Sequence, residues 1–167
     1  MPVGRRSTRC WTASATTVTG GLPCVTPLAS SETTVIVVDA SVAATALLDD
    51  DADGAVVRAR LRGSELGAPE LIDLEVLSVI RRLLAAGQIT ETRATQALSD
   101  LEDLPILRAP HRPLLGRCWE LRDNLSAYDA AYVALAEALN STLVTGDARL
   151  ARSPGPTCDI ELLSPTR

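Results

Sequence analysis

The sequence contains no lysine and no phenylalanine, and it has one histidine, two tryptophans and two tyrosines among its 167 residues. All 16 basic side chains are therefore arginine, which excludes any mechanism that needs a lysine. Because aromatic side chains are so few, Leu, Val and Ala must pack the core. The hydrophobic fraction of 46% is large enough for the core of one domain.

No stretch reaches the roughly 20 apolar residues that a membrane-spanning helix needs. Arg5 and Arg6 are not followed by the apolar segment of a signal peptide. None of the four cysteines belongs to a Cys-x-x-Cys pair, so a structural zinc site is not expected. We interpret Cys118 and Cys158 as small buried hydrophobic residues in a reducing compartment, which predicts a cytoplasmic protein without a membrane segment.

Charge divides the chain into two parts. Residues 1–33 carry a formal charge of +2 and are rich in Thr, Ser, Gly and Pro without sustained periodicity, so we predict a disordered N-terminal extension. Residues 34–167 are acidic, since they outweigh this positive charge to give the chain its net charge of −5, and they form the predicted domain. An acidic domain is unusual for a nucleic-acid-binding protein, unless several of its acids bind metal ions.

Strand and helix patterns alternate along residues 34–167. The run VIVV at 35–38 is typical of a buried parallel strand, and TLVT at 142–145 is the second strong strand. Weaker strands are predicted at 66–68, 106–107 and 160–163. Helices are predicted at 41–48, 52–62, 69–86, 90–104, 113–124 and 126–139, with a short one after 147. This alternation predicts an α/β fold with a parallel sheet covered by helices.

Two acids directly follow the two strongest strands. Ligand sites of parallel sheets lie beyond the carboxyl ends of the strands, which is where Asp39 and Asp147 are placed. Each also has an ordinary structural explanation. Asp39 is well placed to cap the following helix, and Asp147 follows Gly146 in a typical turn sequence.

Two further acids lie on predicted helices. Asp129 is three residues after Ser126, the spacing of a capping box, so a capping role is the alternative to a functional one. Glu75 falls inside the predicted helix at the edge of its apolar sector, and Val79 at i+4 offers it no ion pair. A carboxylate this close to the core needs a reason to be there.

Four segments containing these acids together resemble the motifs of PIN-domain proteins, with an order and spacing that suit the VapC-type toxins of bacterial toxin–antitoxin pairs. The segments are VIVVDAS at 35–41, PELIDLEVLSVIRR at 69–82, LSAYDAAYVALAE at 125–137 and LVTGDARL at 143–150. The resemblance covers about residues 34–164.

The resemblance implies a three-layer α/β/α PIN-like sandwich around a central parallel sheet. It also implies an endoribonuclease dependent on Mg²⁺ or Mn²⁺, a homodimer, and inhibition by a cognate antitoxin. By match of motif, the catalytic and metal-binding acids are Asp39, Glu75, Asp129 and Asp147. Ser41 and Thr145 match polar positions that support the site. Hydrolysis of a phosphodiester needs an activated water and compensation of negative charge, both of which hard divalent cations supply to a carboxylate site.

The RNA must be held by arginine because lysine is absent. The candidates near the expected site are Arg81, Arg82, Arg149 and Arg152, each of which has a solvated surface charge as its alternative explanation. Few aromatic residues are available to stack bases, so we predict recognition of a folded RNA through its backbone and shape.

Other functions fit the sequence less well. A receiver-type phosphoacceptor domain also gathers acids around Mg²⁺, but it needs a lysine. No phosphate-binding glycine loop occurs, so nucleotide binding is unsupported. Two alternatives stay open: a DNA-cleaving relative, and a catalytically inactive PIN-fold binding module.

Overall fold

The computed structural model describes residues 35–163, so the predicted N-terminal extension, 1–33, lies outside the described residues. The strands are β1 (Val35–Val38), β2 (Glu65–Pro69), β3 (Ile106–Ala109), β4 (Thr142–Thr145) and β5 (Ile160–Leu162). The helices are α1 (Ala40–Leu48), α2 (Ala52–Leu61), α3 (Ile72–Ala85), α4 (Glu91–Asp103), α5 (Leu115–Glu120), α6 (Ala127–Leu139) and α7 (Ala148–Ala151), and a 3₁₀ helix covers Arg112–Leu114.

The five strands form one parallel sheet in the order β3-β2-β1-β4-β5. From the central strand β1 the chain adds β2 and β3 on one side, then crosses to add β4 and β5 on the other. The order therefore reverses between β1 and β4, and such a reversal opens a crevice at the carboxyl ends of the two strands. The predicted parallel α/β fold is confirmed, and its crevice lies where Asp39 follows β1 and Asp147 follows β4.

Helices cover the sheet to give the three-layer sandwich. Helices α1 to α4 pack against one another, whereas α5 packs on α6, which contacts β1, β2 and β4. Residues 130–136 of α6 are buried without interruption, and four of them are alanines, which lets this helix approach the sheet closely. Within residues 35–163 the buried hydrophobic side chains are aliphatic except for Tyr132, as the composition predicts. None of the helices in this range is long and apolar enough to cross a membrane.

The predicted start of the third long helix is wrong by three residues. Pro69 ends β2 and pairs in register with Ala109 of β3, whose carbonyl also accepts the backbone N–H of Glu70. The strand ladder thus continues through the position that the Pro rule assigns to a helix, and α3 begins only at Ile72. As a result Glu75 lies in the first turn of α3, at the end of the helix that faces the crevice. The predicted helix at 113–124 is also shorter, because α5 ends at Glu120.

Candidate active site

Asp39 and Thr145 join the ends of the two central strands. The backbone N–H of Asp39 donates to the carbonyl of Val144 at 3.0 Å. Its carboxylate is buried, and Oδ2 accepts hydrogen bonds of 2.7 Å from the hydroxyls of Ser41 and Thr145. No backbone N–H of α1 donates to this carboxylate, so the capping explanation for Asp39 is wrong. Ser41 and Thr145 instead fix its orientation.

Asp147 has a structural role that is compatible with the predicted metal-binding one. Its Oδ1 accepts the backbone N–H groups of Arg149 at 2.7 Å and Leu150 at 3.4 Å, so it caps the short helix α7. Its own N–H donates to Thr145 Oγ1 at 3.0 Å. One threonine hydroxyl therefore connects Asp39 to Asp147, and the capping explanation for Asp147 is correct without excluding the other role.

Asp129 is held at the start of α6. Its N–H donates to Ser126 Oγ at 3.1 Å, and that hydroxyl donates back to Asp129 Oδ2 at 2.8 Å. The guanidinium of Arg149 reaches across from α7, with Nη2 at 3.3 Å from Asp129 Oδ2 and 3.5 Å from Asp147 Oδ2. Arg149 thus lies between two of the four predicted acids.

Glu75 on α3 is held by Tyr132 of α6. The buried phenol donates to Glu75 Oε2 at 2.6 Å. Burial raises the pKa of Glu75 and the charges of Asp39 and Asp129 raise it further, whereas the hydrogen bond from Tyr132 lowers it. Burial and the contact with Glu75 also raise the pKa of the Tyr132 phenol, which stays a neutral donor. Sequence reasoning missed Tyr132; the available signal was its i+3 spacing from Asp129, which puts both on one helix face.

Hydrogen bonds and ion pairs connect Asp39, Asp147 and Asp129 through Thr145 and Arg149, and the charges of Asp39 and Asp129 act on the separate pair of Glu75 and Tyr132. Three of the four acids keep an oxygen free for another ligand, because Asp39 Oδ1, Glu75 Oε1 and Asp129 Oδ1 accept no hydrogen bond from residues 35–163. Carboxylate oxygens are the ligands that hard divalent cations prefer, so the donor set fits Mg²⁺ or Mn²⁺. No group of three or more His, Cys, Asp or Glu in the described range is already arranged to hold a metal ion. Coordination by several of these acids therefore requires their side chains to close together.

The other predicted arginines lie apart from the acids. Arg152 donates to the carbonyl of Ala148 within α7. Both Arg81 and Arg82 are exposed on α3, and at a rise of 1.5 Å per residue they are displaced by about 9 Å and about 10 Å from Glu75 along the helix axis. Only Arg149 contacts any of the four acids.

Residues 36–155 match the PIN domain family. The chain is 44% identical over 128 residues to ribonuclease VapC1 of Mycobacterium tuberculosis, across 76% of this chain and 96% of the relative. It is 43% identical to ribonuclease VapC9 of the same organism, across 77% of this chain and 98% of the relative.

The fold is also similar to solved structures. PAE2754 from Pyrobaculum aerophilum has a TM-score of 0.55 at 23% identity, covering 75% of this chain and 89% of that one. The VapC20 toxin of Mycobacterium tuberculosis, which cleaves the Sarcin-Ricin loop, has a TM-score of 0.54 at 18% identity, covering 69% and 92%. VapBC2 of Rickettsia felis, bound to a DNA fragment from their promoter, has a TM-score of 0.54 at 14% identity, covering 77% and 98%. At these identities the likeness shows the fold.

The hydroxyl of Thr145 can be tested by Thr145→Val, which keeps the shape of the side chain. The change leaves the N–H of Asp147 and an oxygen of Asp39 without their partner, so we expect the free energy of unfolding in urea to fall by about 1–3 kcal/mol. Thr142→Val, at the other end of β4, is the matched control because its hydroxyl makes no hydrogen bond within residues 35–163. We expect that change to stay within about 0.5 kcal/mol, and equal losses for both variants would contradict the role of Thr145.

Glu75→Gln tests how much the charge of the half-buried Glu75 carboxylate destabilises the fold. A carboxyl group whose folded-state pKa is raised stabilises the fold below its unfolded pKa, and this contribution is lost as pH rises through the folded pKa. The neutral amide avoids that loss and still accepts the Tyr132 hydrogen bond. We therefore expect Glu75→Gln to stabilise the metal-free protein at pH 7 by up to about 1 kcal/mol, an advantage that disappears in acid. The measurement is urea unfolding in chelator from pH 4 to pH 8.

The control for that measurement is Glu102→Gln, which removes the same charge from an exposed position on α4. A gain at pH 7 of the same size in both variants would mean that lower net charge, rather than relief at Glu75, is responsible.

Proposed function

The chain belongs to the PIN-domain family and, within it, to the VapC ribonucleases, and on this premise we propose that it is a divalent-metal-dependent endoribonuclease acting as the toxin of a toxin–antitoxin pair. The observation that carries the proposal is the convergence of Asp39, Glu75, Asp129 and Asp147 at the crevice between β1 and β4. Two central strands and the first turns of two helices supply these acids. Burial raises the pKa of Glu75, and the charges of Asp39 and Asp129 add to that rise, which supports a shared site for these three carboxylates.

The proposed metal ligands are these four acids, with Mg²⁺ or Mn²⁺ as the cation. When bound, the cation supplies Lewis acidity, since it compensates negative charge on the phosphodiester and lowers the pKa of water. The chain's own residues hold the ligands in place. Ser41 and Thr145 orient Asp39, Tyr132 orients Glu75, and Ser126 orients Asp129. The reaction is hydrolysis, in which water adds to phosphorus, the bond to one ribose oxygen breaks, and a phosphomonoester and an alcohol are released.

The proposed substrate is RNA, bound chiefly through its phosphates. Arg149 is the best-placed of the four arginine candidates, because it already contacts Asp129 and Asp147. Two of the few aromatic rings are accessible as well, since Trp119 is 69% exposed and Tyr128, beside Asp129, is 64% exposed. Recognition of folded RNA by backbone and shape remains our proposal, and a general preference for unstructured strands would instead favour base stacking on these rings.

The proposed protein partner is a VapB-type antitoxin. Helices α3 and α4 present several apolar side chains to solvent: Leu74, Leu77, Leu84 and Leu98. Leu77 and Leu84 lie seven residues apart and therefore share one face of α3, which gives an amphipathic partner helix a surface to cover. A basic side chain from the partner is well suited to pair with the four acids of the proposed site. We further propose that the toxin is a homodimer and acts in the cytoplasm.

Asp39→Asn and Asp129→Asn test the catalytic assignment. Each removes one carboxylate charge with little change in shape, and we expect RNA cleavage with Mg²⁺ or Mn²⁺ to fall more than about 100-fold. Asp103→Asn, at the exposed end of α4, is the control and should cleave as the wild type does. Full activity in both site variants would refute the assignment.

Two assays separate the alternatives. Faster cleavage of a matched DNA would identify a DNA-cleaving relative. Failure to bind Mg²⁺ or Mn²⁺ at millimolar concentration, together with no cleavage, would identify an inactive binding module.

Leu77→Glu tests the antitoxin surface. We expect the wild-type chain to co-purify with the small protein encoded beside it and to be inhibited by it. The charged side chain should lower that affinity at least about tenfold, because it must be desolvated in the apolar contact. Leu115→Glu is the control, since Leu115 is equally apolar and 60% exposed but lies on α5. If Leu77→Glu leaves the affinity for the antitoxin unchanged, the antitoxin does not bind at this face of α3.

A further inference from the structure

Arg149 has a different environment from the arginines that form forked ion pairs within the fold. Its side chain is 76% exposed, and its contacts to Asp129 and Asp147 are 3.3 Å and 3.5 Å long. Both contacts use the single atom Nη2, so the guanidinium makes no paired fork. No backbone carbonyl within residues 35–163 accepts from it. These contacts are weak, and a competing ligand can displace them.

Two other arginines of this chain form well-fixed ion pairs and serve as a comparison. Arg117 forms a fork with Glu137 at 2.7 and 3.0 Å and also donates to the carbonyl of Gly155. Arg108 forms a fork with Asp73 and donates to three backbone carbonyls. Forked bonds fix the geometry of a guanidinium and are the stronger class of ion pair. Arg149 lacks this geometry although it lies beside two carboxylates.

The position of Arg149 also matters for charge. The hydroxyl donors of Ser41, Thr145, Ser126 and Tyr132 orient the acids but carry no charge. Arg149 is the one cation among residues 35–163 that contacts Asp129 or Asp147. Any divalent cation that binds these two carboxylates must take over the compensation that Arg149 provides.

We propose that Arg149 exchanges between two anions: it pairs with Asp129 and Asp147 in the metal-free protein, and it pairs with an RNA phosphate once a divalent cation holds these acids. This inference rests on the proposed function. Metal and Arg149 compete for the same two carboxylates. Metal and RNA assist each other, because the metal releases Arg149 for the phosphate and the phosphate draws Arg149 away from the acids that the metal binds. By thermodynamic linkage, RNA should raise the affinity for metal by the same factor as metal raises the affinity for RNA.

The first test is calorimetric titration of Mn²⁺ into the metal-free protein without RNA. Arg149→Gln removes the competitor and should bind Mn²⁺ about two- to fivefold more tightly than the wild type. Arg152→Gln is the matched control. It removes the same charge from the residue just past the end of α7, but its guanidinium bonds the carbonyl of Ala148 and contacts none of the four acids. Its Mn²⁺ affinity should stay within twofold of the wild type. Since both side chains are exposed, neither change is expected to alter folding, which thermal unfolding can verify.

The second test measures RNA cleavage by Arg149→Gln at saturating Mn²⁺. A lost phosphate contact should raise KM about five- to tenfold while kcat changes less than about threefold. If Arg149→Gln and Arg152→Gln tighten Mn²⁺ binding equally, the effect comes from the change in net charge, and the competition is refuted. An unchanged KM would overturn the substrate contact. Failure of the wild type to bind Mn²⁺ would refute the proposed function itself, whereas identical Mn²⁺ binding in wild type and Arg149→Gln would refute only the exchange.

Discussion

Repulsion among carboxylates at the crevice between β1 and β4 is the constraint on which the rest of the site depends. Carboxylates held close together raise one another's pKa unless a cation or several donors support their charged forms. The chain provides hydroxyl donors, and these orient Asp39, Glu75 and Asp129 without neutralising them. The crevice therefore keeps most of its negative charge, which is the condition for binding a divalent cation in water.

The same constraint explains why the core and the site share residues. Tyr132 is the only buried aromatic ring within residues 35–163, and its hydroxyl donates a hydrogen bond to Glu75. Thr145 is fully buried at the end of β4 and bonds both Asp39 and the backbone of Asp147. Strand ends and helix starts fix the backbone of the site, because they belong to the sheet and the core, so that only side chains have to move when the acids close on a cation. The cost falls on two carboxylates: Asp39 is buried, and partial burial raises the pKa of Glu75.

Much of this arrangement follows from the sequence, because two rules act locally. Apolar runs ending in an acid place Asp39 and Asp147 at one edge of a parallel sheet, and the spacing from Ser126 to Asp129 predicts a cap that the structure contains. Pairings between distant segments do not follow from local rules. The contact of Glu75 with Tyr132 spans 57 residues, and that of Arg149 with Asp129 joins two helices through side chains alone. The start of α3 was missed for the same reason, because the β2–β3 ladder decides it.

The acidity of the chain bears on all of these contacts. A net charge of −5 repels an RNA backbone, so binding requires the negative charge to be compensated where the RNA approaches. Lysine is absent, and the arginines Arg60, Arg108 and Arg117 are already paired with carboxylates of the fold. These three arginines are therefore not available to a phosphate. A divalent cation bound by these acids would reverse the local potential, so that it would serve substrate binding as well as the chemical step.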